Sequence, residues 1–185
     1  MRLTTPRVKP LQDSELSVEQ QEIMKPLTRN GAVFNIFRSM INHPVLFRNW
    51  LTFANYVLSK RSSISARDRE IAILRIGWLC RAEYEWAQHV IIGKAAGMTD
   101  AEIDRIAAGP DAPGWDAFDA AIVRAADDLH KDKIVSDATW KTLSGRYNEA
   151  QMMDLVFAVG QYNLVSMALN TLGVQLDPGL AGFKK

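Results

Sequence analysis

At 185 residues with 48% hydrophobic side chains, the chain is long enough for one domain with a sizeable core and short for two. Its 22 basic and 21 acidic residues leave a net charge of +1, and no basic run exceeds Lys60-Arg61 or Lys184-Lys185, which argues against nucleic acid or a membrane surface as partner. A single cysteine excludes an intramolecular disulfide framework and suits a reducing compartment. Residues 1–10 lack the apolar core of a signal peptide, and no apolar run approaches a membrane span, so a soluble cytoplasmic protein is expected.

Residues 1–13 carry two prolines and several charges and read as an extended arm, leaving residues 14–185 as one all-helical domain. Such an arm needs a surface to lie on, its own domain or a neighbouring subunit. Ser17-Val-Glu-Gln20 has the pattern of a capping box, opening a short helix that Pro26 stops. Asn30-Gly31 is a turn signal, and a short Phe- and Ile-rich helix over 33–41 ends before His43-Pro44. Pro44 suits the first turn of a helix reaching about Ser59, where Leu46, Phe47, Trp50, Phe53, Ala54 and Val57 form an apolar stripe.

Ser65, with Asp68 three residues on, caps a central helix in which Gly77 and the region Cys80–Ala82 are candidate bends. Gly97 closes the next helix, and Thr99-Asp-Ala-Glu102 is a second capping box for a helix to about Ala108. Gly109–Gly114 is the clearest loop. Helices follow over about 115–131, over 136–143 behind Ser136, and from Asn148 to about Leu172, where Gly173 stops the last one. Nothing alternates with period two for more than a few residues, and no repeat or low-complexity segment occurs. The expectation is a single-domain helical bundle of about eight helices.

Titratable groups gather in one stretch. Glu85 and His89 stand four apart, so a helix running from about Ala82 puts both on one face among apolar residues. That pattern fits an acid/base site, and equally a structural hydrogen-bonded pair. Tyr84, Trp86 and Trp50 are candidates for a pocket wall or for core. Cys80, after Trp78-Leu79, reads as a buried thiol, and His43 and His130 as helix-end residues. No His/Cys cluster or phosphate-binding loop appears, so neither a metal nor another cofactor is expected. In the last helix Asn163, Ser166 and Asn170 share a polar face, which implies buried hydrogen bonds, a cavity lining or an oligomer contact.

The same stretch resembles the carboxymuconolactone decarboxylase and alkylhydroperoxidase D family over roughly residues 40–130. That family's signature is a glutamate, eleven residues, then Cys-x-x-Cys-x-x-x-His. Glu70 and His89 hold its outer positions, Glu83-Tyr84, Trp86 and Gly97 fit its surroundings, and Ala82 and Glu85 replace the two cysteines. The resemblance implies a helix break near Arg81, so that residues 82–85 open a second helix whose dipole favours carboxylates or an anionic substrate group. It implies homo-oligomers, trimeric or hexameric with a dimer possible, with the site near a subunit interface.

Without the cysteine pair, disulfide peroxidase chemistry is not expected. Glu70, Glu85 and His89 remain as the catalytic candidates, and Tyr84, Trp86, Cys80 and Asn163 as pocket candidates. The expectation is a cofactor-free, decarboxylase-type proton-transfer enzyme acting on a small lactone or carboxylic acid from aromatic-compound degradation. Arg67, Arg75 and Arg81 are candidates to hold the substrate's acid, or are solvated helix-surface residues. The alternative is a non-catalytic binding or structural oligomer with a buried Glu/His network.

Overall fold

A computed structural model describes residues 3–28 and 33–183. The expected Asn30-Gly31 turn and the final lysine pair lie outside the described residues. Among those described are nine α-helices and no strand. They are α1 (Val18–Met24), α2 (Asn35–Met40), α3 (Pro44–Leu58), α4 (Ala66–Leu79), α5 (Glu83–Ala95), α6 (Asp100–Ala108), α7 (Ala117–Lys131), α8 (Asp137–Leu143) and α9 (Glu149–Leu172).

The starts follow side-chain chemistry. Ser17, Thr99 and Asn148 form reciprocal capping boxes with Gln20, Glu102 and Gln151, and Ser65 and Ser136 cap α4 and α8. His43 caps α3 through its ring, Nδ1 accepting from the amide of Leu46. One cap was not anticipated: α7 begins at Ala117, because the Asp116 carboxylate accepts from the amides of Phe118 and Asp119.

Helix α4 is the axis of the domain. It is buried without interruption from Arg69 to Gly77, against α5, α6, α7 and α9. A helix buried on all sides is normally apolar all round, yet α4 carries Arg69, Glu70 and Arg75 inside. Each has a partner, as burial of charge requires. Arg75, for example, reaches Asp127 and the carbonyls of Ile106 and Ala107 at the end of α6.

The chain breaks between α4 and α5 at Cys80–Ala82, and the cause is local. Arg81 has φ of 52°, the left-handed region, which lets the Ala82 amide turn back to the Gly77 carbonyl at 2.9 Å. Gly77 itself does not bend α4. Its missing side chain leaves room for Glu85, whose Cγ would lie 3.3 Å from a β-carbon there.

Helix α9 corrects the expectation that no apolar run approaches a membrane span. Its 24 residues are long and apolar enough by composition to cross a membrane, yet its apolar stretch is half buried in the domain. It packs on α3, α4, α5 and α7, so its apolarity serves the core. The N-terminal arm lies on its own domain: the amides of Arg7 and Val8 donate to the Leu172 carbonyl, and Leu11 to that of Arg38. Gly173 is needed there, since φ is 72° and a β-carbon would meet the Thr5 carbonyl at 2.9 Å.

Candidate active site

Glu70 projects from the buried side of α4, and Glu85 and His89 from α5, four residues apart and so on one face. The break at Arg81 folds α5 back against α4 and brings the three together. The imidazole lies between two carboxylates, Nδ1 2.6 Å from Glu70 Oε2 and Nε2 3.0 Å from Glu85 Oε1. The second contact is an ion pair at hydrogen-bonding separation. Arg69 closes the chain on the far side, its Nε donating to Glu70 Oε1 at 3.3 Å.

Arg69, Glu70, His89 and Glu85 are all buried, with Glu70 wholly inaccessible. Two cations alternate with two anions, so the network is balanced and removing any member strands a charge. Burial alone would push the His89 pKa down, but the Glu70 and Glu85 carboxylates override it and raise it to about 10. His89 therefore stays an imidazolium near neutral pH. Its ring meets that of Tyr162 of α9 nearly at right angles, centroids 4.7 Å apart at 80°, and burial beside Glu85 and Glu70 pushes that phenol's pKa well up.

Glu85 and His89 open onto a cavity of about 130 Å³ between α2, α3, α5 and α9. Phe34, Ile36, Trp50, Leu51, Leu58 and Val165 make its apolar wall, and Asn55, Gln88, Tyr84 and Tyr162 add polar atoms. Glu70 stands behind His89 and does not line the space. The three carboxylate and imidazole groups thus adjoin, but only two of them reach the cavity.

Of the pocket candidates read from sequence, Tyr84 lines this cavity. Its hydroxyl donates to Asp177 Oδ2 at 2.6 Å, and burial with that carboxylate raises its pKa, so Tyr84 offers the cavity a ring. Asp177, read from sequence only as part of a tail turn, also accepts from Gln88 and from the Asn35 amide at the start of α2. No local pattern could reveal that role, because the contacts join segments far apart in the chain.

Trp86, Cys80 and Asn163 do not line the cavity. Trp86 faces the other way, with Trp78 and Phe183, beside a separate space of about 230 Å³. The Cys80 thiol is half-buried and donates to Asn163 Oδ1 at 3.2 Å, while Asn170 Nδ2 donates to the Cys80 carbonyl at 2.9 Å. Asn163 and Asn170 of α9 thus meet groups at the α4–α5 break, while the buried Ser166 hydroxyl has no hydrogen-bond partner among the described residues. The arginines offered as a substrate clamp are elsewhere as well. Arg67 is held by Asp119 and Glu102, Arg75 by Asp127, and Arg81 is exposed at the break.

The model of the carboxymuconolactone decarboxylase family matches residues 44–128, which span α3 to most of α7 and contain the whole network. Over that segment the chain is similar to the carboxymuconolactone decarboxylase family. Solved structures agree on the architecture. An uncharacterised peroxidase-related protein from Ralstonia eutropha JMP134, with an alkylhydroperoxidase AhpD core, is 18% identical with a TM-score of 0.80, covering 94% of this chain and 93% of its own. An uncharacterised peroxidase-related protein from Silicibacter sp. TM1040 is 15% identical with a TM-score of 0.74 over 96% and 92%. The debrominase Bmp8 in complex with 2,3,4-tribromopyrrole is 13% identical with a TM-score of 0.71 over 95% and 94%. At such identities these likenesses establish the fold alone. No curated protein matches the chain by sequence. The AhpD-like all-helical bundle is therefore common to proteins of differing activity, and the site has to be read from its own residues.

Proposed function

We propose that this protein is a cofactor-free proton-transfer enzyme of the decarboxylase or lyase type, acting on a small lactone or acid from aromatic-compound degradation. The observation that carries the reading is the Glu70–His89–Glu85 chain ending at an apolar cavity. Glu85 is the group that meets the substrate: its carboxylate takes a proton from a carbon acid, or as the carboxylic acid returns one to an enolate carbon. His89, charged near neutral pH, stabilises the carboxylate form of Glu85 and replaces its proton through Nε2. Glu70 holds the ring from behind and is a positioning residue.

This keeps His89 as the proton donor or relay of an acid/base site, with Glu70 orienting it. The debrominase neighbour shows how far chemistry can vary on this fold, and Ala82 and Glu85 remove the two thiols that disulfide peroxidase chemistry requires.

We also propose self-association. On α9, Met153, Phe157, Leu164 and Met167 are 50% to 61% exposed and lie two on each side of Gly160, which has open space around it. Phe53 of α3 extends the patch through an edge contact with Phe157. Apolar area on this scale is unusual on a free surface. Its near-symmetry about Gly160 suits a second copy packed across a two-fold axis, as a dimer or within a hexamer. Such an oligomer would act in the cytoplasm, as composition suggests.

The test is turnover of a panel of small lactones and acids, followed by solvent-deuterium incorporation. Glu85→Gln and His89→Gln should each lose roughly 10²–10⁴ in rate. Natively folded variants that exchange as fast as the parent would remove the proton-transfer reading and leave a structural network.

A further inference from the structure

Two tyrosines line the cavity, and the fold uses the hydroxyl of only one. That of Tyr84 is engaged, donating to Asp177 and accepting from Gln88 and from the Ile36 amide. Tyr162 is buried, and its hydroxyl makes no hydrogen bond among the described residues. Nor is it sealed away without a partner, as the Trp50 indole N–H and the Ser166 hydroxyl are. Its oxygen is therefore accessible, and the space beside it is the cavity. A polar group so placed is costly unless water or a ligand takes its hydrogen.

Its neighbours set what it can do. Tyr162 and Glu85 flank one imidazole: the phenol ring stands nearly perpendicular to that of His89, centroids 4.7 Å apart, while Glu85 Oε1 faces Nε2 at 3.0 Å. Oε2 is then the Glu85 oxygen left for a ligand. Burial beside Glu85 and Glu70 holds the Tyr162 pKa well above 10, so the phenol is a donor and not a base. The remaining wall is mostly apolar, and about 130 Å³ is close to the roughly 150 Å³ of a cavity that holds one benzene ring.

Proton transfer beside a carbonyl needs such a donor. When a carboxylate takes the proton from carbon, the electrons of the C–H bond pass to the carbonyl oxygen. When a substrate instead loses CO₂, the pair from the broken C–C bond passes to the same oxygen, and the carbon is then protonated by the carboxylic acid. Either way a negative charge that began on a carboxylate ends on the substrate oxygen, with the total charge of the site unchanged. What the site must supply is a hydrogen-bond donor at the new position of that charge.

We propose that Tyr162 is a further catalytic residue, whose hydroxyl donates to the carbonyl oxygen of a one-ring substrate and holds the oxyanion formed when Glu85 moves the proton. This rests on the proton-transfer reading, and it narrows the substrate to one whose reacting carbon adjoins a carbonyl. Tyr162 lies in α9, outside the segment that the family model matches.

Two rings of one shape test the donor: cyclohexanone, and methylenecyclohexane, in which a CH₂ group replaces the carbonyl oxygen. In titrations of the full chain followed by NMR, Tyr162→Phe should bind cyclohexanone roughly three- to tenfold more weakly than the parent, the usual worth of one hydrogen bond, and methylenecyclohexane within about twofold. The carbonyl stretch of bound cyclohexanone should lie at lower wavenumber in the parent than in the variant. Equal losses for the two ligands, equal bands, or no saturable binding of cyclohexanone to the parent overturns the proposal. If the variant does not fold, the parent's band decides alone, and a bound carbonyl that absorbs as it does in an alkane overturns it. On a substrate found by turnover, Tyr162→Phe should lose roughly 10²–10³ in kcat with KM kept within about threefold. Turnover lost in Glu85→Gln but kept in Tyr162→Phe overturns the role of Tyr162 and leaves the proton-transfer reading. A loss specific to cyclohexanone in Tyr162→Phe, with turnover intact in Glu85→Gln, keeps the hydroxyl as the carbonyl's partner and removes that reading.

Discussion

Glu70 and His89, nineteen residues apart, meet at 2.6 Å across the α4–α5 pair, both buried and Glu70 wholly inaccessible. The contact exists because one left-handed residue, Arg81, reverses the chain between them. Each group makes the other's burial tolerable, since either charge alone would cost several kcal/mol there.

That pairing predicts how stability depends on pH. The imidazole has an ordinary pKa of 6.5 and is raised to about 10 in the folded chain, against the effect of burial, by Glu70 and Glu85. A raised pKa means that its stabilisation is complete below about 6.5 and is lost as pH climbs through about 10. Urea unfolding at neutral pH and above pH 10 should therefore show the parent losing a few kcal/mol more than His89→Gln over the same interval. An identical pH slope in both proteins would refute the charged network.

Peroxidase turnover should be absent. Neither Ala82 nor Glu85 supplies a thiol, and Cys80 lies at the end of α4 with its thiol donating to Asn163. Given a dithiol reductant and an organic hydroperoxide, the purified chain should consume no more peroxide than its Cys80→Ser variant. Turnover that depends on Cys80 would contradict this.

Light scattering tests the α9 surface. The parent should run as a multiple of the single-chain mass at micromolar concentration, and Leu164→Glu, placed in the middle of the exposed stripe, should reduce it to the single-chain mass. A parent that is already monomeric shows that the stripe has another purpose.

The break at Arg81 has its own support in Asn170, whose amide donates to the Cys80 carbonyl. Asn170→Ala should cost about 1 kcal/mol in stability, with a further loss if that carbonyl is left dry. The loss should also appear as faster amide exchange in residues 80–82, ahead of the rest of α4. Protection unchanged in that segment would mean that the hydrogen bond is idle.

Much of this protein was decided along the chain. Ser17, Ser65, Thr99, Ser136 and Asn148 mark helix starts because a capping oxygen bonds an amide two or three residues on, and that information is local. The four-residue spacing of Glu85 and His89 fixed their common face for the same reason, and the pairing with Glu70 was legible only through a family spacing. What the chain could not show is which polar groups would find partners at a distance. Trp86 and Tyr84 are two apart on one helix, yet one faces Phe183 and the other the cavity, because the neighbouring elements decide what each side of α5 meets. Asp177 gained its role only when the tail folded onto α2 and α5, and the arginines lost theirs once Asp119, Glu102 and Asp127 came within reach. Short-range hydrogen bonding and helical periodicity act within a few residues and are written in order. Burial and charge pairing are settled by whatever the packed helices bring together, so the cavity's chemistry belongs to the tertiary structure alone.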